Sequence, residues 1–427
     1  MGNELRIKQL APDYVTVYES PDPEQVYVYS PGLAVLPSGR LVATMDMSGP
    51  GIERIPGPKR VIEWGKLWFG KLFTSDDGGA TWTHRTDFPF MHARPFVAGG
   101  SLYVIGHCND LVIMRSEDGG ETWSEPAFLT SGQVWHQSAC NVHYAKGNVY
   151  LVMERLTLPG VKELRTHLLA PVLMRASEAS DLTRRESWTF ASELTYREAA
   201  AGKGDGCAGI PFFTVKEPGE EKAAKRTGVK TMYAIGWLET NVVQFTDERH
   251  YFHDPSGRTF HLWMRLNAGG TGYAAIAKAV EQDDGTIVTT TETAPSGQTL
   301  LHVPFPGGQM RFHILYDDVT RLYWLLGTQA TDSMTRAELL PPERGSNPNN
   351  ERNRLVLHVS SNCFDWRFVG LVAMTGSHRQ SRHYASMAIH GDDLLIVSRS
   401  GDERAISAHD GNLITFHKIR HFRSLVY

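Results

Sequence analysis

Apolar residues along this chain come in short runs separated by glycine, aspartate and asparagine turns, and long stretches with helical periodicity are scarce. LAVLPSGRLVATM at 33–45, PFVAGGSLYVIG at 95–106, NVHYAKGNVYLVME at 141–154 and SMAIHGDDLLIVS at 386–398 each read as a β-hairpin. Their centres, Pro-Ser-Gly, Gly-Gly, Lys-Gly-Asn and Gly-Asp-Asp, supply the positive-φ or turn-compatible positions that reverse a strand. The pattern predicts an all-β fold. Two polar segments have little to bury, EPGEEKAAKRTG at 217–228 and LPPERGSNPNNERN at 340–353, and are expected to be disordered loops. Hairpins of the same kind continue on both sides of them, so residues 1–427 are expected to form one domain.

Self-similarity sharpens the architecture. Ser75-Asp-Asp-Gly-Gly-Ala-Thr-Trp82 and Ser116-Glu-Asp-Gly-Gly-Glu-Thr-Trp123 share the pattern S-x-D-x-G-x-T-W, with starts 41 residues apart. Weaker echoes end at Trp188 and Trp366, each after an apolar run. The physics of the pattern is a turn: Asp77 or Asp118 accepts backbone N–H groups, the glycines permit the reversal, and the tryptophan packs between sheets. The motif is expected to be structural and not catalytic.

Those repeats resemble the Asp-boxes (BNR repeats) of the sialidase superfamily, whose members are β-propellers. The resemblance implies a six- or seven-bladed β-propeller, with LITFHKI at 413–419 pairing with an N-terminal strand to close the ring. It extends to three further segments. Trp237-Leu-Glu239-Thr-Asn-Val-Val243, followed by the strand ending at Arg265, is similar to the sialidase stretch with a catalytic Glu and a substrate-binding Arg. Arg352-Asn-Arg354-Leu-Val-Leu looks like the strand bearing another carboxylate-binding Arg, for which Arg352 fits better. His383-Tyr384-Ala-Ser386 looks like the segment with the tyrosine nucleophile. Asp46 sits where sialidases carry their acid/base Asp, and a plain turn cap is the competing reading. The sequence departs from the family at Tyr29-Ser-Pro-Gly-Leu33, where sialidases place the arginine that completes a three-arginine clamp. Arg54-Ile-Pro56 lies in a Gly/Pro loop and is read as coincidence.

The chemistry of this set is coherent. A phenol of pKa near 10 is a poor nucleophile until a carboxylate takes its proton, and guanidinium groups lower its pKa while holding an acidic substrate. Tyr384 is thus the expected nucleophile, with Glu239, Arg265 and Arg352 around it. A second constellation is histidine-rich: His92, Arg94, His107, His136 and His143. His136, Arg94, Arg382 and His383 are expected to line a central funnel. There His136 and Tyr384 would suit β-elimination of a uronate, which needs a cation for the carboxylate and a base for the α-proton. His136, Cys140 and His143 have spacing that a metal could use, but strand alternation puts His143 on the opposite face, so no metal is assigned.

Composition narrows the partners. Lys plus Arg number 43 against 47 Asp plus Glu, a net charge of -4, which offers no basic field for nucleic acid. No stretch approaches the roughly 18 apolar residues of a membrane span, and no apolar signal segment opens the chain. The four cysteines, Cys108, Cys140, Cys207 and Cys363, have neither disulfide-framework nor zinc-ribbon spacing and leave the compartment open. The expectation is a cofactor-independent, carbohydrate-active enzyme that hydrolyses a terminal acidic sugar from an oligosaccharide or polysaccharide. Uronate β-elimination and noncatalytic glycan binding are the alternatives.

Overall fold

The structure is a computed structural model that describes residues 7–61, 65–158, 166–201, 235–268, 270–341, 344 and 350–426. The charged segment 217–228, most of 342–349, and Cys207 lie outside the described residues.

Six antiparallel sheets follow one another around a central axis. Blade 1 comprises Tyr27–Val35, Leu41–Ser48, Leu67–Ser75 and Thr83–Phe88, and blade 2 comprises Met91–Ala98, Ser101–Cys108, Asp110–Ser116 and Ala127–Phe128. Blade 3 has a divided inner edge, Trp135–His136 and His143–Ala145, then Asn148–Leu156, Leu169–Ser177 and Trp188–Phe190. Blade 4 is Gly236–Val243, Thr259–Asn267, Tyr273–Glu281 and Ile287–Thr290; blade 5 is His313–Asp317, Leu322–Thr328, Arg354–Ser360 and Arg367–Met374. Blade 6 takes Ser381–His390, Asp393–Gly401 and Leu413–Ile419, and its outer strand is Val15–Glu19 from the start of the chain. The propeller therefore has six blades, and Leu413–Ile419 closes the ring as the sequence anticipates. Pairing first and last strands in one sheet leaves no unpaired edge at the junction. Among the described residues no helix is long and apolar enough to cross a membrane.

All four hairpins read from the pattern are inner-strand hairpins of their blades. Their apolar residues meet between blades; Val42, Leu72, Phe88, Leu102 and Val104 fill one such layer between blades 1 and 2. Each fully buried side chain of this type stabilises the fold by about 1.5–3 kcal/mol.

The two S-x-D-x-G-x-T-W turns join the third and fourth strands of adjacent blades, with matching bonds. Ser75 Oγ donates to Asp77 (2.8 Å), Thr81 N–H to Asp77 (2.9 Å), and Gly79 N–H to Ser75 Oγ (2.9 Å). Ser116, Asp118, Gly120 and Thr122 repeat this at 2.8, 2.9 and 2.8 Å. Each tryptophan packs toward the preceding blade, Trp82 against Phe416 of blade 6 and Trp123 into the layer shared with blade 1. The echoes occupy the same connection in blades 3 and 5, where Asp181 caps Thr183 and Asn362 accepts from the Phe364 and Asp365 amides. In these four blades the motif thus lies at the end of the third strand, away from the start of the inner strands.

Candidate active site

Near the start of four inner strands the register breaks in one way: three residues of the inner strand span two of its neighbour. The breaks fall between Tyr29 and Gly32, Met91 and Arg94, Leu238 and Asn241, and His383 and Ser386. The first residue inside each bulge is left-handed although none is glycine: Ser30 (φ 28°), His92 (56°), Glu239 (61°) and Tyr384 (49°). Such conformations cost roughly 1–3 kcal/mol each and concentrate at functional sites. Opposite the residue before each bulge stands a second-strand partner: Asp46, His107, Arg265 and Arg399. His136 and Glu154 form the corresponding pair of blade 3. The blades thus deliver paired side chains to one end of the axis.

Tyr384 and Glu239 meet there. Arg265 Nη1 donates to the Tyr384 hydroxyl at 2.6 Å and to Glu239 Oε2 at 3.2 Å, so one guanidinium nitrogen joins the phenol and the carboxylate. Ser138 Oγ donates to Glu239 Oε1 at 3.1 Å. Arg352 and Arg399 flank the Tyr384 ring, 5.6 and 5.4 Å from its centroid. Arg352 Nη1 donates to His383 Nδ1 at 3.1 Å, and the His383 ring stands edge-on to Tyr384. Burial would raise the Glu239 carboxyl, but Arg265, His136 and the Tyr384 hydroxyl outweigh it and hold the group below the usual carboxylate range. Burial lifts the Tyr384 phenol above its ordinary value, with Arg265 and Arg352 opposing and Glu239 adding to the rise. Burial also brings Arg352 down to about 10, still a cation at neutral pH. The phenol is protonated, its neighbour is a carboxylate, and three guanidinium groups surround them.

The circuit continues through residues that the motifs do not name. Arg399 stacks on Tyr29 at 4.2 Å; Tyr29 donates its hydroxyl to Asp410 at 2.9 Å and packs on Trp68 at 4.7 Å. Trp68 meets His92 at 6.3 Å, and His92 meets His107 and His136 at 5.1 and 5.2 Å between centroids. His136 Nδ1 lies 3.1 Å from Glu154, whose other oxygen accepts the Thr240 amide (3.0 Å) and hydroxyl (2.9 Å). Burial raises the Glu154 carboxyl, with His136 and Thr240 opposing. One half of the ring carries guanidinium, phenol and carboxylate groups; the other is aromatic and imidazole. Arg399 is the main residue that sequence reading missed, and its signal is the register it shares with Arg265.

Asp46 holds the register position of Arg265 and Arg399 but has no exposure, and neither carboxyl oxygen has a hydrogen-bond partner of good geometry among the described residues. Burial drives its pKa well above the carboxylate range, only partly offset by the nearby His92 and Ala93 amides and by Arg399. It is not a turn cap. Several other expected residues stand away from this end of the axis. Arg94 donates to the carbonyls of Ser138 (3.2 Å) and Val152 (3.1 Å), a seam between blades 2 and 3, and faces a cavity of about 340 Å³ at the opposite end of the axis. Arg382 turns outward, over the Tyr14 ring at 4.7 Å, and donates to Ser381. His143 packs on Tyr150 and Phe260, away from His136, and among the described residues no three His, Cys, Asp or Glu side chains are grouped to hold a metal ion. Arg354 is taken by an ion pair with Glu351, and Arg54 by one with Asp22.

Solved structures share this architecture. The α-L-arabinanase of Penicillium chrysogenum complexed with arabinobiose aligns over 97% of this chain and 99% of its own, with TM-score 0.51 and 11% identity. The Hadza microbial sialidase Hz136 aligns over 97% of this chain and 69% of its own (TM-score 0.55, 13% identity). The Trypanosoma rangeli sialidase in complex with sialic acid aligns over 98% and 60% (TM-score 0.51, 13% identity). The fold is the six-bladed propeller of these glycosidases. Identities this low carry the fold and no more. No protein-family model matches the chain, and no curated protein sequence matches it.

Proposed function

We propose that this protein is an exo-acting glycoside hydrolase that removes a terminal acidic sugar from a glycan. The observation that carries the reading is the Tyr384 hydroxyl and the Glu239 carboxylate held together on one nitrogen of the Arg265 guanidinium. As the phenol oxygen attacks the anomeric carbon its proton passes to Glu239, the glycosidic C–O bond breaks, and water later displaces the tyrosine. Arg265, Arg352 and Arg399 receive the substrate carboxylate, since charge-assisted bonds in a buried site favour an anion there. Arg399 thereby supplies the third guanidinium that Tyr29 cannot. The repeated turns are read as the Asp-boxes of the sialidase superfamily, consistent with their place away from this site.

A second reading is uronate β-elimination, favoured by the imidazoles of His92, His107 and His136 across the same funnel. Digestion of a panel of sialylated and uronate-ended glycans, and of glycans with 4-O-linked internal uronates, in H₂¹⁸O separates the two. Hydrolysis places one ¹⁸O in the released acidic sugar. Elimination gives an unsaturated, ultraviolet-absorbing product without the label, and would refute the hydrolase reading. No turnover across the panel would leave a glycan-binding propeller.

A further inference from the structure

We propose that His92, backed by His107, is the general acid/base of this site; the inference rests on the hydrolase reading above. In blade 2 this pair holds the two positions that Glu239 and Arg265 hold in blade 4, and Tyr384 and Arg399 in blade 6: first residue of the bulge and second-strand partner. His92 is a non-glycine residue at φ 56°, and of the three clustered histidines it alone is partly exposed, while His107 and His136 are buried. Its Nδ1 is 3.1 Å from His107 Nε2, so His107 fixes the ring and leaves Nε2 directed elsewhere. Trp68 packs edge-on against the ring. In a closed six-blade ring, blade 2 stands across the axis from blade 5, the source of Arg352. A sugar whose carboxylate is held by the arginines extends its leaving group toward that far side. Asp46, the residue the family pattern suggests, has no exposed surface and lies against the His92 and Ala93 amides.

In the first step the His92 imidazolium gives its Nε2 proton to the departing glycosidic oxygen while the Tyr384–carbon bond forms. In the second, neutral His92 takes a proton from water as that water's oxygen bonds to the anomeric carbon and the Tyr384–carbon bond breaks; Glu239 returns the phenol proton. The sum is glycoside plus water giving sugar plus alcohol. The groups facing His92 are His107, His136, Arg399, Arg311 and, through its backbone, Asp46. Burial first, then those neighbouring charges, keep the imidazole well below its ordinary range, so the acid step is favoured at low pH.

The test compares His92→Asn with wild type on an alkyl glycoside and on an aryl glycoside of the same acidic sugar. Asparagine tolerates the left-handed backbone. Expected is a loss of roughly 10²- to 10⁴-fold in kcat/KM on the alkyl glycoside, little loss in kcat/KM on the aryl glycoside, whose leaving group needs no proton, and recovery of kcat by azide with formation of a glycosyl azide. Equal losses on both substrates, or that leaving-group pattern in His136→Asn and not in His92→Asn, would overturn the assignment. Wild-type enzyme inert toward both glycosides would instead fail the hydrolase reading, and this inference with it.

Discussion

Tyr384 and Glu239 owe their display to backbone conformation as much as to identity, because each is a non-glycine residue held left-handed in a bulge. Asp46 shows the opposite use of burial. Its folded carboxyl is raised above the unfolded value of about 3.9, so the native state holds a proton that the unfolded chain releases. Its contribution is intact below that value and is lost as pH rises through the folded pKa. Asp46→Asn carries no such penalty. The Tm difference, variant minus wild type, is therefore expected to grow as pH rises from about 4 toward neutral; a difference independent of pH would show that the carboxyl is not so raised. Residues on a quotable motif, Glu239, Arg265, Arg352 and Tyr384, are legible in sequence and converge. Arg94 and Arg382 do not join them: each lies on an inner strand beside a bulge that the sequence does not mark and that decides which side chains face the site. Arg399 lies on no such motif, and only the pairing of His383 with Arg399 places it at the site.

The elements are legible because their hairpins carry their own turn chemistry. Between blades, side chains suture the rings of backbone: Thr44 Oγ1 donates to Ala93 (2.7 Å), Asn141 exchanges two bonds with Val242 (2.8 Å each), and Ser386 Oγ donates to Pro31 (2.8 Å). Gly32 has no alternative, since a Cβ there would lie 2.5 Å from Pro95. These seams couple distant residues, and no local pattern reveals them. The Asp118 turn is a surface feature whose carboxyl is lowered by the Thr122 hydroxyl and amide and by Ser116. A depressed carboxylate stabilises above its unfolded pKa and loses that as pH falls. Asp118→Ala is thus expected to lower Tm at neutral pH, with the difference shrinking in strong acid, and to leave turnover unchanged. Melting curves and initial rates check both parts, and a stable but inactive variant would contradict the structural role of the turn.

At the scale of the molecule, six blades each point residues at one end of a shared axis, so chemistry is assembled from segments far apart in the chain: Tyr29 and Asp410, Glu239 and Tyr384. Ring closure through Val15–Glu19 keeps blades 1 and 6 in register, and with them Tyr29, Arg399 and Tyr384. The repeats made the propeller readable, though not the blade number, because blades differ in length and blade 3 divides its inner strand. The central claim is that Tyr384 performs the chemistry on an acidic sugar. The most direct test is turnover of Tyr384→Phe on an acidic glycoside cleaved by wild type, with binding followed separately by calorimetry. The variant removes one oxygen, so fold and Kd are expected to be retained while kcat falls by about a thousandfold or more. Near-wild-type turnover in a folded Tyr384→Phe protein would contradict the account.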